Sequence, residues 1–348
     1  MPVASEFFGY TRDGQAVLRY TLTNANGMEV RILSYGAALQ SVLVPDRAGQ
    51  PVDVLLGYDT LREYELRDGF FGALVGRVAN RLRRAQFQID GVTYRLWPNE
   101  GQNHLHGSFS FRVFDGVMGE NSLTFSFLSP DGEEGFPGNL HVTYRYDLTN
   151  DNRLTLDYAA TTDRATILNL TNHAYWNLAG HGSGDALDTV LRMNASYYTE
   201  ADAENLLTGN VFPVEGTPFD FRTPKPLGQD IGADHPMLRY ALGYDLNMVT
   251  DEPSMERPAA TAYSPKTGIV MDYYTTQPGT QLYSGNYISV QPPRKGKGGV
   301  IYENRHGFCL ESQHCPCATD FPQFHTTVLR PGEIYHQSAA YQFSVKKE

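Results

Sequence analysis

The stretch Asn169-Leu170-Thr171-Asn172-His173-Ala174-Tyr175-Trp176-Asn177-Leu178 sets one imidazole, His173, among three amides, two hydroxyl side chains and Trp176, one of only two tryptophans. That set suits a hydroxyl-rich ligand. Amides and imidazole can exchange hydrogen bonds with its hydroxyls, and Trp176 can cover its apolar face. A histidine beside aromatics also serves as a hydrogen-bonded structural residue, but the crowd of polar groups favours the ligand reading. A second candidate lies far along the chain. Gly307-Phe308-Cys309-Leu310-Glu311-Ser312-Gln313-His314 ends an apolar run on a carboxylate, Glu311, and a charge there is costly unless it is paired or used.

Other polar stretches each admit two readings. Gly76 to Arg84 gathers Asn80 with Arg77, Arg81, Arg83 and Arg84. It is either a basic surface turn or a fork of guanidinium donors aimed at ligand oxygens. In Asn103-His104-Leu105-His106-Gly107 the two imidazoles stand at i and i+2, on one face of a strand. The surrounding sequence does not complete a usual metal-ligand spacing, so one pocket-lining histidine is favoured over metal. Asp245, in Gly243-Tyr244-Asp245, is a turn former or a ligand binder. His314, Cys315 and Cys317 invite a zinc reading, but the Cys-Pro-Cys spacing departs from structural zinc sites. No metal is expected. Nor is a nucleotide cofactor, since no phosphate loop, dinucleotide fingerprint or Gly-x-Ser-x-Gly elbow occurs.

Composition narrows the class. With 41% hydrophobic and 19% charged residues, the 348-residue chain reads as a folded globular protein. Its 22 Tyr and 18 Phe favour strands, and its 33 Gly and 20 Pro imply frequent turns. A formal net charge of −11 argues against a nucleic-acid partner. The basic cluster Arg294-Lys295-Gly296-Lys297 reads as a solvated turn. No apolar run is long enough to span a membrane, and Met1 to Tyr20 lacks the pattern of a secretory signal. Three cysteines do not suggest a disulfide framework. A cytoplasmic setting is expected.

The elements that must position the candidates are strands. Leu18, Tyr20 and Leu22, then Asn26-Gly27, then Met28, Val30 and Ile32 make a hairpin. So do Phe87 and Ile89, Asp90-Gly91, and Val92, Tyr94 and Leu96. Period-two alternation predicts a meander through Leu123–Phe127, Val142–Leu148 and Leu154–Tyr158. Further strands are predicted at Ala37–Val44, Val52–Leu56, Met193–Tyr198, Leu246–Val249, Val270–Thr275, Gln281–Val290 and Gln337–Val345. Thr60 and Glu63 have the spacing of a capping box opening one short helix. No repeat or linker divides the chain, so one domain over 1–348 is expected.

Six stretches, in order, resemble the aldose 1-epimerase (galactose mutarotase) family over almost the whole chain. They are Gly-Arg-Val-Ala-Asn-Arg from Gly76, Asn-His-Leu-His-Gly from Asn103, Asn-Leu-Thr-Asn-His-Ala-Tyr-Trp-Asn-Leu from Asn169, Gly-Tyr-Asp from Gly243, Pro-Gly-Thr-Gln-Leu-Tyr-Ser-Gly-Asn from Pro278, and Gly-Phe-Cys-Leu-Glu-Ser-Gln from Gly307. Each alone is weak; six in order are specific. The resemblance implies an all-β fold, a large antiparallel β-supersandwich with few short helices. It implies a cofactor-free exchange of the α and β anomers of free aldohexoses such as galactose and glucose. It makes Glu311 the general base, His173 the general acid and His106 a supporting imidazole, with Asn80, Arg81, Asp245 and Gln281 on sugar oxygens. An ordinary imidazole pKa near ~6.5 would then cost rate at high pH as His173 deprotonates. The chain departs from the family at Ser108, Leu246, the tail His314–Ala318 and an enlarged loop, Gln291 to Gly299. Monomer and homodimer both remain open. The competing readings are a glycoside hydrolase using Asp245 and Glu311, and a non-catalytic carbohydrate-binding sandwich.

Overall fold

The computed structural model describes residues 3–66, 69–290 and 292–346. Gln291, the start of the enlarged loop, lies outside them.

Alternation of apolar and polar side chains builds the framework. Leu140–Leu148 and Arg153–Thr162 bury every second residue, which lets one face of their sheet meet a core and the other meet water. They are the third and fourth strands of a nine-stranded antiparallel sheet. Its order is Gly116–Met118, Ser122–Ser129, Leu140–Leu148, Arg153–Thr162, Tyr335–Val345, Ile269–Thr275, Ala260–Tyr263, Val190–Met193 and Lys225–Pro226. A five-stranded antiparallel sheet runs Ala4–Tyr10, Ala16–Thr23, Glu29–Leu33, Leu39–Pro45 and Pro51–Asp53. A second runs Leu207–Pro213, Tyr197–Ala201, Asp245–Val249, Gly279–Tyr283 and Cys309–Gln313. Side chains from all three, among them Ile32, Tyr144, Tyr341 and Leu310, share one contiguous core cluster. This is the expected sandwich.

Both Gly-turn hairpins form at the expected residues. Several expectations need correction. Met193–Tyr198 is not one strand: Val190–Met193 ends in the nine-stranded sheet and Tyr197–Ala201 begins in a five-stranded one. An apolar run that changes sheets reads in sequence like one that continues. The strand expected to reach Val290 stops at Tyr283, where the chain turns at Gly285, φ 66°. Thr60 precedes a helix of four residues, Leu61–Tyr64, that contains Glu63, but the two side chains bond each other rather than the backbone. A second short helix, Pro236–Ala241, starts where His235 accepts the Met237 amide, with Pro236 at its first turn. The basic cluster is not wholly solvated. Lys297 is buried, its ammonium donating to Asp53 at 2.5 Å and the Gln40 carbonyl at 2.9 Å.

Candidate active site

The second five-stranded sheet forms one wall of the site. Its register sets Asp245 opposite Tyr283, Asn247 opposite Gln281, Gln281 opposite Glu311, and Tyr283 opposite Cys309. Opposed residues share a face, as do residues two apart on a strand. Asp245, Gln281, Tyr283 and Glu311 therefore project together, while Leu246, Leu282 and Leu310 enter the core.

The other wall hangs on two-residue ribbons. His104–Leu105 pairs with Arg81–Leu82, and His106 follows with φ 64°. Thr171–Asn172 pairs with Leu74–Val75. His173 follows, its amide donating to the Ala73 carbonyl at 3.0 Å and its carbonyl accepting from Gly72 at 2.9 Å. Its ring stacks on Tyr175 at 4.9 Å and on Phe70 at 5.8 Å.

Between the walls lies a cavity of about 760 Å³, within the range of small-molecule sites. Seven of the eight residues singled out in the sequence line it: Glu311, His173, His106, Asn80, Arg81, Asp245 and Gln281. The eighth, Trp176, does not. It is fully buried, against Tyr341 at 4.6 Å and Phe343 at 5.7 Å. The amides near it also face backbone. Asn169 brackets both peptide groups of His314, Asn172 donates to the Gly72 carbonyl, and Asn177 donates to the carbonyls of Gly184 and His306. That polar cluster holds loops together, and only His173 and Tyr175 from it reach the cavity.

The arginine-rich stretch divides. Arg81 lines the cavity, while Arg77 is 1% exposed and bonded to protein oxygens. His104 and His106 diverge as well, because the positive φ at His106 ends the strand alternation; His104 bonds the Trp97 carbonyl at 2.8 Å. In the cysteine-rich tail, Cys315 accepts from Asn247 and Cys317 donates to the Arg81 carbonyl, so these thiols serve hydrogen bonds. Ser108, a departure from the family pattern, bonds Glu134 through its hydroxyl and its amide. Sequence reasoning missed Phe70, Glu100, Glu204, Asn205, Tyr240 and Tyr287 on the cavity wall. Nothing in their local spacing marks them. Tyr283 sits within the Pro278 motif and was within reach.

Hydrogen bonding fixes several roles. The Asn80 amide donates to His106 Nδ1 at 3.1 Å, so a neutral His106 carries its proton on Nε2. Asp245 accepts from Gln281 at 2.6 Å and Asn205 at 3.2 Å, with Arg81 Nη1 3.9 Å away. Arg81 is also gripped by Glu100, through Nε and Nη2, both at 2.7 Å. Glu311 is different. It is 3% exposed, and its partner among the described residues is His173, Nε2 to Oε1 at 3.8 Å.

Burial governs the protonation of these groups. It holds Glu311 well above the usual carboxylate range, helped by Asp245 and opposed by Arg81. It lowers His173 to about 4. It lowers His106 well below an ordinary histidine, with His173 adding to the effect. Asp245 is raised by burial against the pull of Arg81 and Gln281. Arg81 is raised, because Asp245 and Glu100 outweigh its own burial. Glu311 and His173 together thus hold one proton over a wide pH interval. The expectation that His173 titrates near neutrality is corrected by its burial.

His106, His173 and Glu311 offer metal-ligand atoms within 4.8 Å of one another. The amide on His106 Nδ1 argues against that use, since it leaves Nε2 protonated and without a lone pair for a metal. The set suits proton transfer between oxygens of a bound polyol.

Over residues 18–342 the sequence matches the family described as aldose 1-epimerase. The chain belongs to the aldose 1-epimerase family. A rat protein named galactose mutarotase is 39% identical over 99% of both chains. An Escherichia coli aldose 1-epimerase is 36% identical over 95% of this chain and 96% of its own. An aldose epimerase homologue from Caenorhabditis elegans superimposes with a TM-score of 0.86 at 31% identity, covering 99% of this chain and all of its own. Within the aldose 1-epimerase frame, the two short ribbons and the five-stranded sheet are the parts that meet at the cavity.

Proposed function

We propose that this chain is an aldose 1-epimerase acting on free aldohexoses, galactose and glucose among them, with Glu311 as base and His173 as acid. The observation that carries the assignment is the buried Glu311 carboxylate, which faces a cavity without a hydrogen bond from the described residues, 3.8 Å from an imidazole. Changing the anomer requires the C1 hydroxyl to lose a proton and the ring oxygen to gain one. Glu311 takes the first proton and His173 supplies the second. Rotation about C1–C2 presents the other face of the aldehyde, and reclosure runs the same transfers in reverse. Each assisted transfer contributes typically ~10²–10⁴-fold.

The protein supplies the matching conditions. Burial favours the uncharged pair. Sugar hydroxyls entering the cavity bring hydrogen bonds that stabilise the separated charges. His106 stays neutral and donates from Nε2. Arg81 Nη1 and Asp245 Oδ2 stand 3.9 Å apart, too far to bond each other well, and a sugar hydroxyl between them can bond both. Asn80 and Gln281 add oxygen contacts. Such a clamp lets the sugar rotate only at C1.

A hydrolase built on Asp245 and Glu311 fits less well, because both Asp245 oxygens are already bonded, to Gln281 and Asn205. A purely binding site has no use for an unbonded buried carboxylate. Three free cysteines fit a cytoplasmic setting, and no described helix is long and apolar enough to cross a membrane. Polarimetry on fresh α-galactose and α-glucose tests the assignment. The enzyme accelerates the rotation change and leaves methyl α-galactoside intact. A rate equal to the spontaneous one, or release of methanol, overturns it.

A further inference from the structure

Among the described residues, Arg81 is the one lysine or arginine that lines the cavity, against four carboxylates: Glu100, Glu204, Asp245 and Glu311. Its fork is already filled. Nε and Nη2 each meet a Glu100 oxygen at 2.7 Å, which leaves Nη1 turned toward Asp245. Glu100 is built into place by a tight turn. Its amide donates to the Asn103 carbonyl at 3.1 Å, and the Asn103 amide donates back at 2.9 Å. The Asn103 side chain in turn accepts from the Arg84 amide at 2.9 Å and donates to Glu204 at 3.2 Å. The sequence gives this role no signal, since Glu100 sits in a polar loop outside every matched motif.

We propose that Glu100 is a specificity-determining residue that closes the cavity to anionic aldoses, hexuronates and hexose phosphates, and keeps it for uncharged sugars. The inference rests on the epimerase reading and deepens it. Carboxylates and phosphates are recognised by a free guanidinium fork that meets two oxygens at once. Here an incoming anion must displace Glu100 and leave two like charges side by side. No second lysine or arginine lines the cavity among the described residues, so an anion meets this constraint however the sugar lies. The two imidazoles do not replace one: burial holds His106 neutral, and a proton on His173 is balanced by its partner Glu311.

The test compares glucose with glucuronate and glucose 6-phosphate, as kcat/KM by polarimetry and as affinity by calorimetry. The wild-type enzyme should prefer glucose by ~100-fold or more. Glu100→Gln should shift the anion-to-neutral ratio toward the anion by ~10-fold, the scale of one charge-assisted hydrogen bond. That gain should fade in high salt. Glu100→Asp, which keeps the carboxylate, should stay near the wild-type ratio. Wild-type turnover of glucuronate as fast as glucose overturns the proposal, and so does a Glu100→Gln variant that loses both classes in proportion. Calorimetry separates this proposal from the epimerase assignment. A chain that binds sugars but does not anomerise them refutes the epimerase reading, and its anion-to-neutral affinity ratio still decides Glu100. Should Glu100→Gln not fold, wild-type turnover of glucuronate as fast as glucose still overturns the proposal.

Discussion

Arg77 and Glu311 are both charged side chains taken out of water, and the protein treats them in opposite ways. Arg77 is enclosed by neutral oxygens. Its Nε donates to Ser129 at 2.9 Å, and its terminal nitrogens reach the carbonyls of Ser129, Pro130, Pro137 and Gly138 between 2.9 and 3.1 Å. Burial lowers it to about 10, which still leaves it charged at neutral pH. Glu311 has no such enclosure, and its proton is correspondingly hard to remove. Leaving a buried ionisable group unsatisfied costs stability. A protein keeps that arrangement where something else completes it. The closed site holds two strands and a loop together; the open site turns its carboxylate to the cavity.

The largest effect should come from the open site. Glu311→Gln keeps size and hydrogen-bonding capacity but cannot take a proton. Anomerisation measured by polarimetry should fall by ~10²–10⁴-fold, while calorimetric galactose binding persists and the melting temperature stays equal or rises. Unchanged turnover would remove Glu311 from the chemistry. The closed site should behave in reverse. Arg77→Met leaves several buried carbonyls without donors, and chemical denaturation should show a loss of about 3–5 kcal/mol. The folded fraction should retain kcat near the wild-type value. A stable variant with lost activity would show that Arg77 belongs to the catalytic side of the comparison.

The sequence made the open site more legible than the closed one. Glu311 stood out because a carboxylate at the end of an apolar run contradicts its surroundings, and the strands around it carry clear alternation. Arg77 and Arg81 are indistinguishable by local pattern. What separates them is which partners long-range folding brings near: Ser129 and Gly138 for one, Glu100 and Asp245 for the other. Lys297 escaped for the same reason, since it sits in a loop turn and its partner Asp53 ends a strand of the first five-stranded sheet, far away along the chain. Glu100 could not be seen at all, because its importance comes from filling a fork supplied by a distant strand.

The protonation of the open site gives a third test. Above about pH 4 the folded His173 is neutral, and Glu311 keeps its proton well past the usual carboxylate range. Between those limits the pair carries one proton, and the rate should be flat. Activity should fall as pH drops through about 4, where the pair gains a second proton. It should fall again at high pH, where the pair loses its last. An acid limb near 6.5 in a polarimetric pH profile would show that burial does not control His173. Substituting Phe70 by Ala should move the acid limb upward, by opening the stacked face of His173 to water.

The smallest effect on catalysis should come from Trp176. Its segment looks from sequence like part of the open site, yet its ring packs on Tyr341 and Phe343 in the closed core. Trp176→Phe keeps an apolar ring and removes volume, so unfolding free energy should fall by about 1–2 kcal/mol. Galactose affinity and kcat should change less than about twofold, since the side chain does not line the cavity. A large rise in KM with unchanged stability would place Trp176 against the sugar. It would also mean that burial alone does not tell a closed site from an open one in this fold.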